Sequence, residues 1–205
     1  MIIVIDYGMG NLASVCKAFE YIGEKVKISS DSADIINASA LVLPGVGAMS
    51  DAMKSLESLN LAYGIKNYIH TGKPFLGICL GMQMLFEESS EGSSEGTENV
   101  KGLGILSGRV LKLPDFPGIK IPHMGWNSLL DIKDPILQKD RSVYFVHSYY
   151  AKPDDEGIIT SKSFHGIGFT ASVKYKNITA TQFHPEKSGN AGLDILREWI
   201  KQERI

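Results

Sequence analysis

A cysteine framed by glycines, Gly77-Ile78-Cys79-Leu80-Gly81, stands between an apolar run at 75–78 and a helix-like stretch at 82–86. A Gly-x-Cys-x-Gly at a strand-to-helix junction is the nucleophile-elbow pattern with sulfur in place of oxygen. Glycines on both sides permit the sharp turn that lifts the side chain clear of a sheet, where bulkier neighbours would clash. A helix starting just after the cysteine would turn its positive end toward the sulfur and favour the attacking thiolate. An arbitrary cysteine is more often a small buried hydrophobe; here the elbow context reverses that preference.

A thiol that attacks an amide needs a base to manage its proton and then to protonate the leaving amine. Gln182-Phe183-His184-Pro185-Glu186 supplies one, after an alternating strand at 178–183 that sets His184 at a strand end. Pro185 restricts the backbone between the pair, and Glu186 can hydrogen-bond the imidazole and fix its tautomer. A lone His-x-Glu is otherwise a solvated loop or half of a metal site, and neither accounts for Cys79. The tetrahedral intermediate also needs oxyanion donors, each worth ~3 kcal/mol. Leu43-Pro44-Gly45-Val46-Gly47 closes a strand with a free backbone, so Val46, Gly47 and the Leu80 N–H are the candidate donors. His70, before Gly72, reads as a helix end and His165 as part of a turn. His147 reads as a buttress of the 144–149 turn.

These residues need a scaffold. Short apolar runs at 2–5, 25–28, 40–43 and 75–78 alternate with helical patterns at 11–22 and 60–70, the rhythm of a parallel sheet covered by helices on both faces. In the first helix Leu12, Val15, Cys16, Phe19 and Ile22 share one face, Asn11 can cap the start and Gly23 can end it, which makes Cys16 a core residue. From 105 onward strands at 105–111, 143–146, 168–175 and 178–183 predict an antiparallel extension of the sheet, and a helix near 190–202 closes the chain. The polar, acidic stretch 87–96 reads as a mobile surface loop.

The chain has 205 residues, 43% hydrophobic and 21% charged, which suits one domain spanning 1–205. A net charge of -2 and a pI near 6.2 provide no basic surface for nucleic acid or an anionic membrane. Two cysteines, the absence of a basic leader and the absence of a ~20-residue apolar run point to a reducing cytoplasm and no membrane span. One rival begins at Gly8-Met9-Gly10-Asn11-Leu12-Ala13, which matches G-x-G-x-x-A and has Asp31 downstream, the dinucleotide fingerprint. A nucleotide-binding module of that kind would leave Cys79, His184 and Glu186 without a role.

With these residues assembled, the chain resembles the class I glutamine amidotransferases, and among them the glutaminase subunits of imidazole glycerol phosphate synthase. The resemblance is carried by Asp6-Tyr7-Gly8-Met9-Gly10-Asn11, Pro44-Gly45-Val46-Gly47, Gly77-Ile78-Cys79-Leu80-Gly81-Met82-Gln83, His123-Met124-Gly125-Trp126-Asn127, Tyr144-Phe145-Val146-His147-Ser148-Tyr149 and Gln182-Phe183-His184-Pro185-Glu186-Lys187-Ser188. It implies a flavodoxin-like fold and a γ-glutamyl thioester on Cys79, managed by His184 and Glu186. Glutamine would be held by Gln83, the Gly47 region and the backbone near Ser148 and Tyr149. It implies no cofactor or metal. It further implies a heterodimer with a (βα)8-barrel cyclase that receives the ammonia, docked through Met9, Asn11, Trp126 and Lys187. On residue type alone Trp126 reads slightly better as a core aromatic. A paralogous ammonia-using partner in surface-sugar synthesis is the alternative within the family.

Overall fold

The structure is a computed structural model that describes residues 1–92, 99–137 and 141–205. The chain opens with β1 (Ile2–Ile5), α1 (Leu12–Tyr21), β2 (Val26–Ser29), α2 (Ser32–Asn37), β3 (Ala40–Gly45), α3 (Met49–Ser58) and α4 (Leu61–His70). It continues through β4 (Phe75–Cys79), α5 (Leu80–Gln83), β5 (Phe86–Ser89), β6 (Val100–Lys101), β7 (Leu106–Lys112), β8 (His123–Ser128), β9 (Ser142–His147) and β10 (Tyr149–Pro153). It ends with β11 (Ile159–His165), β12 (Ile167–Tyr175), β13 (Ile178–Thr181) and α6 (Gly189–Glu203).

A seven-stranded sheet in the order β11-β12-β13-β4-β3-β1-β2 forms the centre. β2, β1, β3, β4 and β13 run parallel, while β12 pairs antiparallel with β13 on one side and with β11 on the other. Successive strand residues point to opposite faces, so β1 divides its apolar side chains between two cores. Ile3 and Ile5 pack with Leu56, Ile65 and Tyr68 of α3 and α4. Ile2 and Val4 pack with Val15 and Phe19 of α1 and with Ile195 and Trp199 of α6. Helices thus cover both faces, as the parallel pattern requires.

Several expectations are corrected. The strands expected at 105–111 and 143–146 do not extend the main sheet: β7 belongs to a four-stranded sheet, β10-β7-β5-β6, and β9 pairs with β8 in a two-stranded ribbon. The stretch 87–96 is in part a strand, because β5 pairs with β7 and the Glu87 carboxylate accepts the Gly108 N–H at 3.1 Å; residues 93–96 lie outside the described residues. α2 and α3 were not anticipated, although Met49, Ala52, Met53 and Leu56 of α3 are buried at helical spacing. The helix after the cysteine is a single turn, α5, so any field at the sulfur comes from its first N–H groups and not from a long macrodipole. Cys16 is a core residue, and the Asn11 side chain accepts the Ser14 N–H to cap α1.

Register brings the site together. Gly45 of β3 pairs with Cys79 of β4, and Thr181 of β13 pairs with Ile78, so these strands end side by side at their carboxyl edges, where open α/β sheets collect ligands. The turn out of β4 passes so close to β3 that a Cβ on Gly81 would lie 1.8 Å from the Leu43 carbonyl oxygen. Gly81→Ala is therefore expected to lower unfolding free energy by about 3 kcal/mol, measured by denaturant titration of the full chain. A loss below about 0.5 kcal/mol, the range of a neutral surface change, would mean this approach imposes no constraint.

Candidate active site

Cys79 closes β4 with φ 55 and ψ −107, a conformation that costs an L-residue energy and is retained where surrounding contacts dictate it. Those contacts are visible. A Cβ on Gly45 would meet the Tyr7 hydroxyl at 2.6 Å and the Leu80 Cβ at 2.9 Å, so β3 and the elbow touch through a glycine. The Tyr7 hydroxyl donates to the Pro44 carbonyl at 2.9 Å, and the Ser55 hydroxyl of α3 donates to the Tyr7 carbonyl. Burial, with the Cys79 charge adding to it, pushes the Tyr7 phenol well above its usual range and keeps it a donor.

The Cys79 thiol is free and only 5% exposed. Its sulfur lies 3.5 Å from Gln182 Nε2 and 3.8 Å from the Val146 carbonyl. Gln83 Nε2 donates to Gln182 Oε1 and to the Tyr149 carbonyl, both at 2.9 Å, so Gln182 must present its N–H to the sulfur.

His184 sits beyond β13, at the start of a 3-10 turn, Pro185–Lys187. Its N–H donates to the Tyr144 carbonyl at 2.9 Å, and Ser188 Oγ donates to its carbonyl at 2.6 Å while accepting the Tyr144 N–H. Backbone pinned to β9 leaves the ring little freedom. His184 Nδ1 and Glu186 Oε1 are 2.7 Å apart, and both side chains are 2% exposed. With Nδ1–H given to the carboxylate, Nε2 is the nitrogen left for chemistry. The Cys79 sulfur acts on the ring both through its charge and as a hydrogen-bond partner. Burial disfavours charge on this imidazole, but Cys79 and Glu186 outweigh it and hold the pKa above the usual 6.5, at about 10. An imidazolium beside a thiolate is the arrangement a cysteine nucleophile requires.

Cys79 opens onto a cleft of about 470 Å3. Val46 and Gly47 line it after β3, Leu80 and Gln83 after Cys79, and Val146, His147, Ser148 and Tyr149 from the β9–β10 connection. Among the described residues, its charged lining side chains are Glu91 and Lys187. Burial raises the Glu91 carboxyl pKa, opposed by the Met49 N–H it accepts and reinforced by Asp51. A further cleft of about 550 Å3 lies at the amino ends of β4 and β13, lined by residues such as Lys66, His70, Tyr175 and Lys176, and holds none of the expected site residues.

The expected catalytic, oxyanion and glutamine-contact residues are thus gathered at one place. Met9 is near it, with its methyl 3.0 Å from where a Gly47 Cβ would stand, while Asn11 is exposed at the α1 cap. Trp126 is not the core aromatic its type favours: it is 58% exposed, beside Met124 at 63%, in a T-shaped contact with Tyr144. Sequence reasoning did not single out Glu91, Gln182, Tyr7 or Val146. Gln182 adjoins His184 by two positions and could have been found; Glu91 reaches the cleft only through the fold. Asp31, the acid of the dinucleotide fingerprint, is spent capping α2 through the Ala33 and Asp34 N–H groups.

A family model described as "Glutamine amidotransferase class-I" matches residues 3–202. The chain belongs to the class I glutamine amidotransferases. Within this family the amidotransferase is 48% identical to the imidazole glycerol phosphate synthase subunit HisH of Methanothermobacter thermautotrophicus, over 98% of each chain. It is 50% identical to the same-named subunit of Aquifex aeolicus, over 98% of this chain and 96% of that one. Solved structures share the fold at lower identity. A crystal structure of a glutamine amidotransferase superposes with TM-score 0.76 at 16% identity over 100% of both chains. The PurLQS structure from Thermotoga maritima gives 0.73 at 18% identity, over 100% of this chain and 98% of that one.

In this amidotransferase the charge on His184 depends on the sulfur. Removing Cys79 leaves Glu186 alone to oppose burial, so Cys79→Ala should move the His184 titration down by about 1–3 pH units, followed by NMR on the full chain. An unchanged titration would mean that the sulfur does not act on the imidazole.

Proposed function

We propose that this chain is the glutaminase subunit of an imidazole glycerol phosphate synthase, a single amidase domain over 1–205 that works in the cytoplasm as a heterodimer with a cyclase. The observation that carries the reading is the Cys79 sulfur at the floor of the cleft, with the buried His184–Glu186 pair beside it. The names of the relatives support the histidine-biosynthetic assignment.

The Cys79 thiolate attacks the side-chain amide carbon of glutamine. Negative charge collects on the amide oxygen, for which the N–H groups of Val46, Gly47 and Leu80 are the candidate donors. The His184 imidazolium gives its proton to the departing nitrogen, ammonia leaves, and a γ-glutamyl thioester remains. His184, now neutral at Nε2, takes a proton from water, and the resulting hydroxide releases glutamate. Glu186 holds the imidazole in one tautomer and stabilises its charge through both halves.

Glutamine brings an α-ammonium and an α-carboxylate into the cleft. Glu91 is, among the described residues, the acidic side chain that lines it, which supports a role in pairing with the ammonium. The backbone of Ser148 and Tyr149 is assigned to the carboxylate, and Gln83, both of whose amide hydrogens are committed, offers only its oxygen to substrate. Docking of the (βα)8-barrel cyclase is assigned to the face of β8 that exposes Met124 and Trp126, together with Met9, Asn11 and Lys187. The ammonia then passes to that partner, which forms imidazole glycerol phosphate and an aminoimidazole carboxamide ribonucleotide.

With the cyclase present, Cys79→Ser should lose glutamine-dependent product formation by about 10³-fold or more, while turnover with added ammonium salt stays within about twofold. Loss of the ammonia-dependent reaction as well would contradict this division of labour.

A further inference from the structure

Three histidines beside the cleft take no part in the chemistry above. His147, at the end of β9, points Nδ1 at the Tyr149 carbonyl, 2.9 Å away. Its Nε2 lies 3.0 Å from Nδ1 of His123, on β8, and Nε2 of His123 lies 3.3 Å from Nδ2 of Asn127. His165 stacks on His123 at 4.1 Å and bonds the Lys120 carbonyl through its own Nε2 at 2.8 Å.

The direction of this chain follows from its ends. A carbonyl only accepts, so His147 must carry its proton on Nδ1, which leaves Nε2 bare to accept from His123 Nδ1–H. At the other end the Asn127 amide is oriented by the backbone: Oδ1 accepts the Ser128 N–H at 2.8 Å and Nδ2 donates to the Phe164 carbonyl at 2.8 Å. Its nitrogen therefore faces His123, whose Nε2 must accept. Every proton runs one way, from Asn127 through His123 and His147 to Tyr149, and both imidazoles are neutral. A proton added to either ring would set N–H against N–H. Burial lowers both pKa values, His147 to about 3 and His123, with His165 adding repulsion, to about 4.

The end of the chain is a functional surface. The Tyr149 carbonyl also accepts from Gln83, so one oxygen receives the histidine chain from one side and the cleft's glutamine side chain from the other. His147, Ser148 and Tyr149 form one wall of the cleft. We infer that His123 and His147 are positioning residues for substrate: as a one-way chain of neutral imidazoles they hold the 147–149 backbone and Gln83 where the amino-acid end of glutamine binds. This rests on the glutaminase reading. Because the chain ends on the wall and not on the sulfur, breaking it should impair binding more than chemistry.

The test uses the full chain with its cyclase. His123→Phe preserves a flat ring against Phe145 and His165 but removes both hydrogen bonds, and it should raise KM for glutamine about five- to tenfold with kcat within about twofold. His123→Asn, which returns a donor near the Nδ1 position, should recover most of that loss. In the unaltered chain, nitrogen-15 NMR at neutral pH should find both His123 and His147 as Nδ1–H tautomers, the form that a free histidine side chain disfavours. If His123→Phe does not fold, Asn127→Leu breaks the chain at its outer end and should shift KM in the same direction. An unchanged KM, a fall in kcat without a rise in KM, or an Nε2–H or doubly protonated His147 would overturn the proposal. An unaltered complex that consumes no glutamine would defeat the glutaminase reading instead, and the tautomers would still be measurable.

Discussion

The active centre depends on one close approach, that of the backbone after Cys79 to the end of β3. No side chain fits between Gly81 and the Leu43 carbonyl, and none fits on Gly45 between Tyr7 and Leu80. Held from that side, Cys79 has to adopt φ 55, and the elbow carries its sulfur off the edge of the sheet. The strain is stored locally and offset by the apolar packing of β3 and β4 against helices on both faces. The same approach brings Val46 and Gly47 alongside Leu80 at the cleft. Cys79 and the candidate oxyanion donors are thus positioned by one contact between two strands.

Charge organises the other side of the site. His184 and Glu186 are almost fully buried, an expensive place for an ion pair unless each charge is answered. Glu186 holds Nδ1 with one oxygen, and the Cys79 sulfur faces the ring from its other side. An imidazolium there is stabilised by the carboxylate behind it and the sulfur in front, which is why its charge persists against burial. His123 and His147 are arranged to the contrary effect: their chain of donors keeps them neutral. Two groups of one residue type are separated in role by what their nitrogens face.

Much of this was legible from residue order. The elbow glycines, Cys79 and the His184-Pro185-Glu186 run carry their chemistry in short segments, and α1, α4, α6 and the parallel strands show regular apolar spacing. What was missed depends on contacts between distant segments. Glu87-Glu88-Ser89 reads as loop, yet it is a strand because β7 lies beside it and Gly108 offers an N–H to Glu87. Glu91 enters the cleft because the Met49 N–H, 42 residues away in the chain, donates to its carboxylate. Ser50, Ser55 and Ser58 dilute the apolar stripe of α3, so its helical spacing went unread. Trp126 looked like core because large aromatics usually are, and its exposure follows from β8 pairing only with β9, in a ribbon outside the main sheet.

The central claim is that Cys79 is an activated nucleophile in a glutamine-shaped cleft. Incubation of the folded chain, with and without its cyclase, with an electrophilic glutamine analogue, followed by peptide mass spectrometry, tests it directly. The account predicts one adduct, on Cys79 and not on Cys16, that excess glutamine suppresses. Absence of an adduct under both conditions, or labelling of Cys79 that glutamine does not slow, would contradict it.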